Sequence, residues 1–522
     1  MAKVADWMRS NAAVYLDNAS SRRDYRAQLR GNRAIILWTV YLLLLIGLGM
    51  LNYSASSSRG QVSVVDAQRT LQDFYQTVMA ILGAMVILVA PALAATTIVV
   101  ERERKSLDLV FSAPVKPKSL LVGKMISAYR YTWMLLVLSL PVTAVCVVLG
   151  GATWTEVLAA YALLSLHAML YSAMALAISA LSNKPVAALI WTYLSVGAYS
   201  LAAGGLTAAA AVPRFMGMSN DEAPFYVALS PLSVVQAAGT HTTIWGVAVP
   251  NWILFGIYAL FLTRFLLLGA ASALSPFNSW ETKNLRITGL VSVAVLGYGL
   301  AYIVLATTHP SSFPSGGSTT SGKEIDLFCA ALIAVLPMLL LVPLPFLTCS
   351  GPDGERKFWP NGIFSFKEAI RGTPAGALPY LLMTLAGVTL AVLLACVTAL
   401  HDTPGLITVG TVVWSLGFWI FCWSLGRLTS VIATELKAAR TLHLASLIVL
   451  FGLPVPFLFI IDPEQQTPLW SIYPLWPLFS GEQDSSYPRF VMGLALAAIG
   501  AIIAYSAEKR RRIKAAVPPV MA

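Results

Sequence analysis

Residues 77–100 read TVMAILGAMVILVAPALAATTIVV, and residues 101–114 follow without a break as ERERKSLDLVFSAP. The first stretch carries no charge over its whole length. A helix rises 1.5 Å per residue and the hydrocarbon core of a bilayer is about 30 Å thick, so about 20 apolar residues suffice to cross it. The second stretch opens on alternating acid and base, which places a membrane boundary between Val100 and Glu101. A bilayer span running directly into a charged helix is therefore the unit from which the fold is read.

Eleven further runs of similar length and character lie along the chain. The twelve fall near 34–52, 77–100, 128–150, 156–181, 185–212, 249–270, 287–307, 326–348, 378–400, 405–427, 441–461 and 488–507. Over all 522 residues, 57% are hydrophobic and only 11% charged; soluble proteins carry roughly 25% charged residues. Mean hydropathy is +0.73. No segment between apolar runs has room for a soluble catalytic or nucleotide-binding domain. The expected fold is an all-α polytopic membrane protein of about twelve transmembrane helices, multi-pass in the cytoplasmic (inner) membrane.

The 35 Lys and Arg against 24 Asp and Glu give a net charge of +11. In a soluble chain that balance would suggest nucleic-acid binding, but loops that stay cytoplasmic are enriched in Lys and Arg. With the N-terminus inside, 30 cations fall on the inner side or at inner span ends, leaving Arg59, Arg69, Arg214, Lys323 and Arg489 outside. Both termini are thus expected in the cytoplasm and no nucleic-acid partner is implied. Segment 1–33, with Trp7, Tyr15 and Leu16 ahead of Arg22, Arg23, Arg26, Arg30 and Arg33, suits an amphipathic helix in the lipid headgroup layer. Segment 508–522 reads as a basic cytoplasmic tail.

A cut near 275 yields two halves of six spans each, 34–275 and 276–507, with matching loop patterns. Long outer segments follow the first span of each half, at 53–76 and 308–325, and precede the sixth, at 213–248 and 462–487. Long basic inner loops follow the second span, at 101–127 and 349–377. Two pseudo-symmetric six-helix halves are the expected arrangement. The fifth span, with Gly197, Gly204 and Gly205, and the twelfth, with Gly493 and Gly500, offer small faces for close packing. Those faces are expected to line the interface between the halves.

Read as a helix, 101–113 pairs Glu101 with Lys105 and Arg104 with Asp108 at i,i+4. It gathers Leu107, Val110 and Phe111 on one face and ends before Pro114. Ser119 is placed to cap the next helix, which passes Gly123 and Lys124 on its way into the third span.

The run Glu101-Arg102-Glu103-Arg104, then Leu107-Asp108-Leu109, Ser112-Ala113-Pro114-Val115 and Gly123-Lys124, resembles the signature of type-2 ABC transporter permeases between their second and third spans. The stretch 26–33 is similar to the amphipathic connecting helix that opens members of that family. The resemblance covers most of 20–275. It implies a transmembrane subunit whose 101–113 helix sits in a cleft of a separate ATPase and relays ATP-driven closure to the spans, most often for export. The implied coupling residues are Glu101, Glu103, Arg104, Leu107, Asp108, Phe111, Pro114, Gly123 and Lys124. A weaker counterpart in the second half is Glu355-Arg356-Lys357. The implied partners are two ATPase subunits, which bind the ATP and Mg, together with membrane lipid; a homodimer of twelve-span chains is the alternative assembly.

The residues supply no competing chemistry. Gly317 to Lys323 is spaced like a phosphate-binding loop, but Glu324 stands where the Mg-binding hydroxyl belongs and no strand precedes it. This chain is therefore expected to be no enzyme, with no cofactor or metal of its own. Its five Cys and five His are scattered without ligand spacing. An ion-coupled carrier would need an ionisable group near mid-bilayer, and His167 is the clear interior candidate. Asp326, Arg130, Arg264, Arg427 and Glu435 are read as sitting at span ends, in reach of water. A non-transporting membrane scaffold or assembly factor is the remaining alternative.

Overall fold

A computed structural model describes residues 64–106, 117–148, 150–215, 225–274, 280–308, 344–349, 376–400, 405–433, 435–447 and 486–516, with short pieces of 36–51, 326–334, 369–370 and 449–450. Its contacts divide the chain into two units, Met1–Pro276 and Phe277–Ala522. Eight helices among the described residues are long and apolar enough to cross a membrane, and each coincides with one of the expected runs. Shorter apolar helices occur at Trp38–Gly47 and Pro185–Leu201, within the first and fifth expected runs. The runs 326–348 and 441–461 lie largely outside the described residues, as do 1–33 and the loop 317–324.

In the first unit, helix α1 (Val64–Ala95) carries Pro91. Proline has no N–H to give the carbonyl one turn back, which weakens the ladder there. The helix breaks a turn later at Thr96, where Thr97 Oγ1 donates to Ala94 O at 2.9 Å, and resumes as the short α2 (Thr97–Glu103). Helix α3 (Pro117–Val148) begins on a proline, whose fixed φ and absent N–H suit the first helical position. Ser119 thus lies inside its first turn and is not the cap expected for it. Helix α4 (Trp154–Leu181) starts on a capping box: Thr153 Oγ1 accepts from Glu156 N at 3.3 Å, and Glu156 Oε2 accepts from Thr153 N at 3.0 Å. It packs against α1, α3, α5 (Pro185–Phe215) and α7 (Asn251–Leu274), and so forms the hub of the unit.

The segment expected as a long outer loop before the sixth span is folded from Phe225 onward. A 3-10 turn (Phe225–Leu229), the short α6 (Val234–Ala238) and a hairpin of β1 (His241–Ile244) with β2 (Val247–Pro250) lead straight into α7. The hairpin is the one departure from an all-helical plan among the described residues. Its turn residues Trp245 and Gly246 both take positive φ, as a two-residue hairpin turn requires. Phe225, Val227, Ala228, Val234 and Ala237 are buried. His167 of α4 lies against this segment, with Nδ1 2.8 Å from Leu163 O, Nε2 3.2 Å from Leu229 O, and its ring stacked on Phe255 at 4.1 Å.

Gly83 of α1 gives the segment its seat. A Cβ there would collide with the Pro231 carbonyl oxygen and lie 2.9 Å from the carbonyl carbon. Neither partner is a side chain that can swing away, so Gly83→Ala is expected to cost about 1–3 kcal/mol or more. The measurement is the thermal midpoint of the purified protein in detergent. Gly197→Ala, where nothing lies within 4 Å, should leave that midpoint unchanged.

The second unit contains α8 (Trp280–Thr308), α9 (Leu344–Thr348), α10 (Ala377–Leu400), α11 (Leu406–Ile432), α12 (Leu436–Leu447) and α13 (Ser486–Ala516). Its core gathers around Trp414, Phe418, Trp419 and Cys422 of α11. Helix α13 continues through Ala516, so the first residues of the segment read as a basic tail are helical. Asp326 does not sit in water. It is buried and caps α11, accepting from Ile407 N and Thr408 N at 2.9 Å each and from the Thr408 hydroxyl. Arg427 is likewise buried, as is Arg489, whose Nη1 donates to Thr411 Oγ1 at 2.7 Å. The small face of α13 at Gly493 and Gly500 is occupied by α11 within this same unit. That overturns its expected place at an interface between halves.

Candidate functional site

Among the described residues, the charged stretch after the first long span forms an elbow at 104–106, in place of the helix expected to run unbroken from Glu101. Helix α2 ends at Glu103, Arg104 caps it, and Lys105 adopts φ +54°. A lysine in that left-handed region terminates the helical ladder. The expected i,i+4 partnership of Glu101 with Lys105 is therefore lost, and Glu101 pairs elsewhere. Its Oε1 lies 2.8 Å from Nζ of Lys124, which is only 2% exposed. Ser106 Oγ donates to the Glu101 carbonyl at 3.1 Å, closing the turn.

This geometry separates the expected coupling residues into two sets. Glu101, Lys124 and the buried Gly123 belong to the inside of the elbow, where they join α2 to α3. Glu103 and Arg104, together with Lys105, are exposed. The lysine side chain is 3% exposed and the glutamate 19%, so removing Glu101 would leave the buried ammonium without its carboxylate. Glu101 and Lys124 thus fix the elbow, while Glu103 and Arg104 present charge outward. Leu107, Asp108, Phe111 and Pro114 lie outside the described residues, as do Glu355, Arg356 and Lys357 of the second half.

Three residues outside the expected coupling set hold this elbow. Arg102 donates through Nη1 to Ser182 O at 2.6 Å and through Nη2 to Ala180 O at 2.8 Å. Ser179 Oγ accepts from Ile98 N at 3.2 Å and from Val99 N at 3.4 Å. Ser182 closes the end of α4, its backbone N donating to Ile178 O at 2.9 Å and its hydroxyl to the same oxygen at 2.8 Å. A serine pair ahead of Lys184-Pro185 marks a helix end in sequence, but nothing local says that an arginine about 80 residues earlier will meet it.

These features define a multi-pass helical membrane protein with a charged elbow anchored to two of its spans. Residues 19–309 match the family model described as ABC-2 family transporter protein, and the chain belongs to that family, the type-2 ABC transporter permeases. The match takes in every described helix of the first unit and extends through α8. A search of curated proteins found no match. Members of the family are typically the non-catalytic membrane component of a transporter that works with an ABC ATPase.

Proposed function

We propose that this chain is the permease of an ATP-driven exporter in the cytoplasmic membrane, with twelve spans in two halves and both termini in the cytoplasm. Segment 101–113 docks a separate ATPase, which binds the ATP and Mg, and one chain works with two such subunits. The observation that carries the docking role is the division of charge at the elbow: Glu103 and Arg104 are exposed, while Glu101 is tied to the buried Lys124. A docking element must offer its surface to a partner and yet be stiff enough to pass on a displacement. An exposed tip on an internally paired base meets both needs. The mixed charge suits a reversible interface, since polar rims set orientation and partner choice.

The mechanism follows from stiffness. When an ATPase closes around nucleotide, the elbow moves with it, and the Glu101–Lys124 pair obliges α3 to follow. Helices long enough to span the bilayer then tilt or shift as units, because breaking their ladders in lipid would strand backbone groups without water. The ion-coupled alternative draws no support from His167, which is fully buried with its ring stacked on Phe255.

The test is co-purification. The tagged chain should bring down a polypeptide carrying a Gly-x-x-x-x-Gly-Lys-Ser/Thr loop. Glu103→Lys with Arg104→Glu should reduce its recovery about tenfold, equivalent to about 1.4 kcal/mol of interface, while the permease still inserts. Unchanged recovery would remove the elbow from the interface. Glu101 is unsuited to this experiment, because its substitution breaks an internal pair.

A further inference from the structure

Every α-helix leaves its first N–H groups and last carbonyls without partners inside the helix. At α2 and α4 each helix supplies what the other lacks. The side chain of Thr96, the N-cap of α2, makes no capping bond. Ser179 of α4 takes that role, its hydroxyl oxygen accepting from the amides of Ile98 and Val99. In return Arg102 of α2 covers the end of α4, its fork spanning the carbonyls of Ala180 and Ser182. The guanidinium is planar and its donors are fixed relative to one another, so two bonds to two carbonyls set orientation as well as distance. Its positive charge also lies at the negative end of the α4 dipole.

Helix α2 is only seven residues long and is tied into α4 at both ends. Its third tie, Glu101 to Lys124, runs to α3. The elbow beyond Glu103 therefore cannot be displaced without loading both long helices. Since α4 packs against α1, α3, α5 and α7, a load on its end reaches the whole first unit.

We propose that Arg102 is a positioning residue that carries displacement of the elbow into α4, so that the elbow and α4 move as one body. This rests on the permease reading above. It assigns a role to a residue that the docking surface itself does not require, because Arg102 faces α4 and not the outward tip.

The experiment uses the permease purified with its ATPase, spin-labelled at Lys105→Cys on the elbow and Leu181→Cys on α4, both exposed positions. Distances are measured without nucleotide and with ATP and vanadate. With Arg102 present, the distance between labels should be the same in both states. In Arg102→Gln/Ser179→Ala the distribution should broaden and shift with ATP and vanadate, by at least the roughly 1–2 Å of an ordinary helix displacement. The ATPase should still co-purify in full. Arg102→Lys keeps the charge and loses the fork, and should give a smaller shift of the same sign. If the double variant does not fold, that shift in Arg102→Lys decides the matter.

Identical distances in all ATPase-bound variants would overturn the positioning role and leave the permease reading standing. A nucleotide-dependent change with Arg102 intact would also overturn it, since the elbow and α4 would then move separately. Absence of any ATPase from the unsubstituted complex would instead sink the permease reading, and this role with it.

Discussion

Gly417→Ala should prevent recovery of folded protein or lower its thermal midpoint far more than other single-methyl additions. Gly417 lies on α11 where α13 crosses it, and a Cβ there would collide with the carbonyl oxygen of Gly493. The reverse contact is also tight: a Cβ on Gly493 would come 2.6 Å from Val413 O and 2.7 Å from the backbone of Trp414. Two helices in lipid gain nothing from hiding apolar surface from water, because the lipid is itself apolar. Their attraction rests on close packing, which small residues permit. Inserting a methyl between two backbones forces the helices apart along the whole contact, so the cost should exceed the upper end of the usual 1–3 kcal/mol for overpacking. Gly500→Ala meets backbone atoms at 3.0–3.2 Å and should be milder. Fluorescence-detected size exclusion after heating compares them directly, and a Gly417→Ala protein that melts like the parent would contradict the close crossing.

The same pair of helices is fastened by charge near one end, which gives the second large effect. Arg427 Nη2 lies 3.1 Å from Glu508 Oε2, with the two side chains 1% and 9% exposed. Glu508 also accepts from Arg511 at 2.6 and 2.9 Å and from Arg512 at 3.3 Å, and the Arg427 guanidinium lies 5.8 Å from the Trp423 ring centre. Glu508→Ala should cost about 3–5 kcal/mol, the range for stripping one partner from a buried pair. The penalty arises from the stranded arginine more than from the lost attraction. Arg427→Met/Glu508→Leu should therefore recover most of the loss, because it removes both charges and keeps the volume. A double variant as unstable as Glu508→Ala alone would show that the pair acts through something other than desolvation.

The spans were legible in sequence for a physical reason. A bilayer demands about 20 apolar residues with every backbone group bonded internally, which leaves little room for a second reading. Eight of the expected runs are helices of spanning length, from the one at Leu71–Glu103 to the one at Tyr487–Arg512. What escaped was pairing between distant residues. Glu101 has a lysine four residues on, and local periodicity favours it, but the ladder stops first and the partner is Lys124. The glycines of α13 announced a close contact without naming α11 as its other side. Asp326 and Arg427 read as solvated span ends, and Arg489 as an outer cation, because their partners Thr408, Glu508 and Thr411 lie about 80 residues away. The segment after Phe225 reads as a loop because its apolar pieces are short, and its seat at Gly83 is far upstream.

The central claim is that the elbow after the first long helix meets an ATPase. It is tested most directly by placing a photo-crosslinking amino acid at Arg104 and identifying by mass spectrometry what the tagged chain captures in native membranes. The account predicts an adduct with a polypeptide that carries a phosphate-binding loop of the Gly-x-x-x-x-Gly-Lys-Ser/Thr type. Capture of lipid alone, with that ATPase absent from the purified complex, would contradict it.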